Sequence, residues 1–148
     1  MLKTVGKCLA GFLYGGCLYH VSSEYFFCLI KCEGDSMYPT INADPAVNDH
    51  VLVEKFWSSR RRNYKKNDII VLTCPDEPEK LICKRIIFVA GEDTPKTSPS
   101  VPRCHVWVEG DNKEFSHDSR IFGPVPLGLV QGRVILRVWP PRNIGWIT

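Results

Sequence analysis

LICKRIIFV, residues 81–89, decides how the chain is read. Lysine and arginine interrupt a run that is otherwise apolar and rich in Ile, Phe and Val, the composition of a β-strand. Side chains alternate across a strand, so Ile82, Lys84, Ile86 and Phe88 share one face and Cys83, Arg85 and Ile87 the other. Lys84 therefore points along an apolar face. Desolvation there disfavours the ammonium form and lowers the lysine pKa, which is what a lysine needs in order to act as a base near neutral pH. The competing reading is a lysine that snorkels past the strand edge to water.

Working outward, similar short runs rich in Val, Ile and aromatics occupy residues 51–53, 68–72, 105–108 and 133–139, separated by prolines. Beyond residue 33 no long stretch has helical periodicity and no repeat is visible. The expected domain, residues 25–148, is mainly β with irregular loops. The basic run SSRRRNYKKN (58–67) reads as a solvated loop, and residues 91–104, with Pro95, Pro99 and Pro102, as an exposed connector.

The N-terminal segment, residues 1–24, is of a different kind. Residues 8–19 are apolar or glycine, Lys3 and Lys7 precede them, and no acidic residue comes before Glu24. One helix over 8–30 would reach ~35 Å, enough to span a bilayer. The polar patch at 20–24 instead favours a helix over about 5–23 followed by a strand over 25–33, where Tyr25-Phe26-Phe27 suits a strand. We expect an N-terminal membrane-anchor helix with a targeting character.

The chain has 148 residues, 44% hydrophobic and 24% charged, so it can build one real core. Its net charge of +3 is too mild for a nucleic-acid binder, and no nucleic-acid partner is expected. The seven cysteines form no CxxC pair, and Cys28 and Cys32 have no matching ligand pair downstream, so no metal is expected. Buried free thiols are the main expectation, with a Cys28–Cys32 bridge as the alternative in an oxidising compartment.

GDSMYPT, residues 34–40, holds a serine in a glycine- and proline-rich turn. Ser36 is a nucleophile only if a base reaches it. Lys84 is one option. His117 beside Asp118, or His105, keeps a Ser–His–Asp arrangement open, because triads are spatial rather than sequential. In EGDNKEFSHDSRIFGPVP (109–126), Asp118 and Arg120 are two apart and project to one side of an extended segment, placed for a charge-assisted pair. Ser116 is placed to hydrogen-bond a neutral amine.

Together these stretches resemble the signal peptidase I family. GDSMYPT is similar to its serine box, NDIIVL (67–72) to its Gly-Asp-Ile-Val strand, LICKRII to its lysine box, and GDNKEFSHDSRIFGPVP to its late box. HVWVEGDN and GLVQGRVILRVWPP resemble the branch of the family found in the mitochondrial inner membrane. The resemblance implies a signal-peptidase-like antiparallel β domain carrying a serine endopeptidase with a Ser–Lys dyad and no cofactor. Ser36 would be the nucleophile, with its N–H in the oxyanion hole, and Lys84 the general base. Ser116 would orient the lysine, Asp118 and Arg120 would form a structural ion pair, and Met37 would lie at the apolar rim near the membrane. It also implies substrates in the form of precursor polypeptides with presorting peptides, and a homologous second subunit forming a heterodimer. The domain would contact inner-membrane lipid and face the intermembrane space. A non-catalytic, membrane-anchored β scaffold of the same complex is the alternative. Three positions depart from the pattern: Gly34 stands where many members carry a serine, Phe115 where asparagine is common, and Asn67 where glycine opens the strand.

Overall fold

A computed structural model describes residues 2–56, 63–94 and 100–147. Helix α1 (Leu2–Tyr25) leads into a sheet made of β1 (Phe27–Lys31), β2 (His50–Glu54), β3 (Ile69–Thr73), β4 (Leu81–Val89), β5 (His105–Glu109), β6 (Val125–Pro126), β7 (Val130–Trp139) and β8 (Gly145–Trp146). A one-turn helix α2 (Ser119–Phe122) sits between β5 and β6. The strands lie in the order β1-β2-β7-β3-β4-β5-β6, with β8 on β7, and every pairing is antiparallel. The chain is therefore the mainly β, antiparallel structure expected from residues 81–89.

β3 shows why this sequence makes this sheet. Its continuous apolar run is buried on both faces, so alternate residues feed two cores. Ile69 and Val71 join Met37, Ile41, Val51, Val53 and Val134. Ile70 and Leu72 join Ile86, Val106, Val108, Val125 and Val130. Each such side chain contributes about 1.5–3 kcal/mol on burial, so β3 anchors both clusters at once. β4 alternates in register with it: Ile86 belongs to the second cluster, while Cys83 packs against the first. β7 is the long central strand. It pairs with β3 near its start and with β2 further along, and the register shifts in both pairings. A side chain at Gly132 would meet the Glu54 carbonyl at 2.5 Å, so only glycine lets the two strands approach there.

Strands at 81–89, 50–54, 69–73, 105–109 and 130–139 match the expected runs to within a few residues. β6 and β8, two residues each, were too short to leave a pattern. Half of the basic run (58–62) and the middle of the connector (95–99) lie outside the described residues. Asn67 has φ 72°, a left-handed conformation that asparagine tolerates better than most residues, which accounts for its standing in for glycine.

The N-terminal expectation needs correction. α1 forms over the expected span, but among the described residues no helix is long and apolar enough to cross a membrane. Gly11, Gly15 and Gly16, with Tyr14, Tyr19 and His20, dilute the apolar run that the sequence suggested. Residues 11–21 are exposed along the helix, Phe12, Leu13 and Leu18 among them.

Candidate active site

Ser36 lies in the loop between β1 and β2, and Lys84 lies in the middle of β4. Both line one cavity of about 310 Å³, together with Ile30, Met37, Cys74 and Phe115. Lys84 is 3% exposed. The apolar strand face therefore buries it, and the snorkelling alternative is set aside. Burial holds its amine below the ordinary lysine value, against the opposing pull of the Asp118 carboxylate.

Asp118 is fully buried and organises the loop after β5. It accepts from Ser116 Oγ at 2.6 Å, from the Gly110 N–H at 3.0 Å, and from Arg120 Nε at 2.9 Å. It also caps α2 by accepting from the Arg120 N–H. Burial pushes the Asp118 carboxyl up, but these donors together hold it below the usual carboxylate range. The ion pair expected from the i, i+2 spacing of Asp118 and Arg120 is thus present, and Arg120 also donates to the Lys113 carbonyl at 2.8 Å. Ser116 spends its proton on Asp118, which leaves its oxygen free to accept.

Sequence reading missed three features that hold the Ser36 loop in place. Gly110 is the first. A Cβ there would lie 2.3 Å from Ser116 Oγ and 2.4 Å from the Ser36 carbonyl oxygen, so the loop after β5 touches the Ser36 backbone. The Asn112 N–H also donates to the Ser36 carbonyl, at 3.1 Å. The second is Arg85, beside Lys84, which grips Asp111 with two hydrogen bonds of 2.8 and 2.9 Å. The third is a buried network at the far end of the loop. Asn42 Nδ2 donates to the Cys32 and Gly34 carbonyls at 3.1 and 2.9 Å. Asn42 Oδ1 accepts from the Asp49 N–H at 2.8 Å, and the Asn42 N–H donates to the Asp49 carboxylate at 2.9 Å. Arg137 lies 3.1 Å from that carboxylate and donates to the Thr40 carbonyl. Partners so far apart in sequence leave no local signal. Asn42→Ala should cost about 2–4 kcal/mol, because it strands buried donors and acceptors and places alanine at φ 59°. Urea unfolding measures this, and a loss near zero would show that the network does not hold the loop.

The histidine alternatives do not assemble. His117 lines the cavity, but its Nε2 contacts Asp76 at 2.7 Å on the exposed side, while Asp118 is engaged by Ser116, Gly110 and Arg120. His105 Nδ1 contacts the Arg103 carbonyl at 2.9 Å. His117→Ala should therefore retain most of any hydrolytic activity, within about threefold of wild type; a loss of several hundredfold would reinstate a histidine base.

Met37 corrects another expectation. It is 3% exposed and belongs to the first core cluster, so it forms the floor of the cavity rather than an exposed rim. Cys28 and Cys32 do not bridge. Four residues along an extended chain separate their backbones by ~13 Å, well beyond disulfide reach. Cys17, Cys28, Cys32, Cys74, Cys83 and Cys104 are all free thiols.

The sequence profile of the family described as "Signal peptidase, peptidase S26" matches residues 7–95 and 92–139. The chain belongs to the signal peptidase S26 family. Among curated relatives, a Xenopus tropicalis protein named "Mitochondrial inner membrane protease subunit 1" is 43% identical over 97% of this chain and 89% of its own length. A Mus musculus protein of the same name is 38% identical over 94% of this chain and 86% of its own. A Saccharomyces cerevisiae protein named "Mitochondrial inner membrane protease subunit 2" is 40% identical over 79% of this chain and 71% of its own. S26 membership carries a peptidase function of the signal-peptidase type, and the cavity between β1 and β4 is where this S26 chain gathers Ser36, Lys84 and Ser116's neighbours.

Proposed function

We propose that this S26 protein is a serine endopeptidase in which Ser36 attacks the scissile carbonyl and Lys84 takes the serine proton. The observation that carries this reading is a buried lysine, with its pKa lowered by desolvation, lining the same cavity as the serine. Protonated Lys84 then gives a proton to the leaving amine, and an acyl-enzyme forms at Ser36. Water activated by Lys84 hydrolyses it. The oxygen of Ser116, its proton held by Asp118, accepts from the Lys84 amine and turns the amine's lone pair toward Ser36. The Ser36 N–H serves the oxyanion. Asp118 and Arg120 hold the loop rather than react.

The substrate lies extended. β1 is the end strand of the sheet, and β4 pairs with β5 only from Arg85 onward. One edge of β1 (Phe27–Lys31) and one edge of residues 81–84 thus have no strand partner among the described residues, which suits a peptide added as a strand. Such a peptide is a presorting segment of a precursor polypeptide, cut in the mitochondrial intermembrane space. Residues 25–148 form the catalytic domain, which works at the inner membrane beside a homologous second subunit. The names of the relatives support the membrane and the partner.

The test is cleavage of a precursor carrying a presorting peptide by the full chain with its partner subunit. Ser36→Ala should lower the rate by about 10³-fold or more while leaving the melting temperature within a few degrees. Cleavage at the wild-type rate would overturn the nucleophile. A complex that needs this chain but not Ser36 would favour the scaffold.

A further inference from the structure

Three cysteines, Cys32, Cys74 and Cys83, line the same cavity as Ser36 and Lys84, and the proposed chemistry uses none of them. Two of them face each other. Cys32 immediately follows β1, its N–H tied to the Asp49 carbonyl at 2.8 Å, and Cys83 lies in β4 opposite Val71 of β3. Cys32 belongs to the first core cluster and Cys83 packs against it, close enough for each thiol to shift the other's proton affinity. They come from strands on opposite sides of the cavity, 51 positions apart by number (83 − 32). We propose that Cys32 and Cys83 form a thiol-modification site that a small peptide disulfide of the glutathione class oxidises to an intramolecular disulfide, closing the peptide cavity reversibly.

The oxidant fits the site. A cavity open to extended peptide backbone admits a tripeptide, and the wall that holds Cys32 continues through exposed Glu33 and Asp35 to solvent. The two thiols have distinct parts. Hydrogen bonding from Cys83 lowers the Cys32 pKa against the opposing effect of burial, whereas the same contact and then burial raise that of Cys83. We place the attack at Cys32 because it sits in the loop just after β1, beside exposed Glu33, whereas Cys83 lies within β4; the lowered pKa of Cys32 agrees with this. Its sulfur displaces one thiolate from the peptide disulfide, giving a mixed disulfide at Cys32. The Cys83 sulfur then attacks Cys32 Sγ, loses its proton, and expels the second peptide thiol. Two protein thiols are oxidised and one peptide disulfide is reduced to two thiols. A disulfide needs Cβ atoms about 3.5–4.5 Å apart, so the bond ties the end of β1 to β4 across the cavity that Ser36 and Lys84 line and fixes the strand position beside Lys84.

The effect on cleavage rests on the peptidase reading, but formation of the bond does not, so the test has two arms. In the first, the folded full chain is incubated with oxidised glutathione, thiols are blocked, and non-reduced peptides are mapped by mass spectrometry. A linked Cys32–Cys83 peptide with loss of two hydrogens is expected. It should be absent in Cys32→Ser and Cys83→Ser and kept in Cys28→Ser. Cys83→Ser should accumulate the mixed disulfide at Cys32. Modification confined to Cys17 or Cys104, or none under conditions that oxidise the urea-unfolded chain, overturns the proposal. In the second arm, oxidised wild type should lose kcat/KM at least about tenfold against its own untreated rate and recover with dithiothreitol. Equal loss in Cys83→Ser, each compared with its own untreated rate, overturns it. An untreated wild type that cleaves nothing counts against the peptidase reading, and the first arm still decides this one.

Discussion

Lys84→Met should abolish cleavage and at the same time raise the melting temperature. A positioned base supplies roughly 10²–10⁴ of the rate, and His117, which also lines the cavity, is engaged with Asp76 instead. The stability gain comes from the same burial that makes the lysine a base. Lys84 is 3% exposed and its pKa lies below the ordinary 10.5, chiefly through desolvation. The unfolded chain therefore holds that proton more tightly than the folded one. The penalty is absent above 10.5, where lysine is neutral in both states, grows as pH falls toward the folded value, and is complete below it. Methionine has a similar length, keeps the apolar contacts and carries no charge to desolvate. Each kcal/mol regained should add about 2–4 °C at neutral pH. The gain should shrink on titration toward high pH. In wild type, kcat/KM should rise with pH along a limb that lies below 10.5. Thermal melts across pH beside a pH–rate profile make the check. A variant that still cuts, or one that melts lower at neutral pH, would remove Lys84 from this role.

Gly110→Ala should be the most damaging small substitution in the chain. The added methyl would lie 2.4 Å from the Ser36 carbonyl oxygen and 2.5 Å from Ser116 Cβ. The first obstacle is backbone and cannot rotate away. Either the nucleophile loop or the loop after β5 must move. The move also strains the bonds from Gly110 N–H to Asp118 and from Asn112 N–H to the Ser36 carbonyl. Overpacking of this kind costs about 1–3 kcal/mol, or ~2–10 °C in a domain of this size. The effect on rate should be larger, at least about 10²-fold, because a displacement near 1 Å at the reacting groups costs that much. Tm and kcat measured together separate the two effects. Near-wild-type kcat would show that contact between these loops does not set the nucleophile's position.

The two substitutions separate what local pattern encodes from what it does not. Lys84 was legible because a β-strand has a period of two: once 81–89 is a strand, the faces of Lys84 and Cys83 follow without a structure. Asp118 and Arg120 were legible as close neighbours in sequence, although the pair forms at the start of α2, where Asp118 is the N-cap, and not along an extended segment. Gly110 looked like ordinary loop chemistry. Its importance lies in the Ser36 backbone, 74 positions earlier by number (110 − 36), and no local pattern carries that distance. The placement of Met37 at the rim came from the family resemblance, whereas the tertiary fold packs its side chain with Val51, Val53, Ile69 and Val71 of β2 and β3. The N-terminal run misled in the other direction. Glycines and tyrosines count as apolar or neutral in a quick reading, yet they bring too little transfer free energy for a spanning helix.

The sequence by itself determined the strand-rich fold class, the S26 resemblance, the apolar face on which Lys84 lies, and the local ion pair of Asp118 and Arg120. These rest on period, spacing and residue type, which are properties of contiguous chain. Only the tertiary structure decided that Ser36 and Lys84 share a cavity, that His117 turns to Asp76 instead of Asp118, and that Cys32 and Cys83 line one cavity. Each of those is a contact between strands or loops remote in sequence. Such contacts are fixed by sheet order and by the burial of both faces of β3, which no single segment contains.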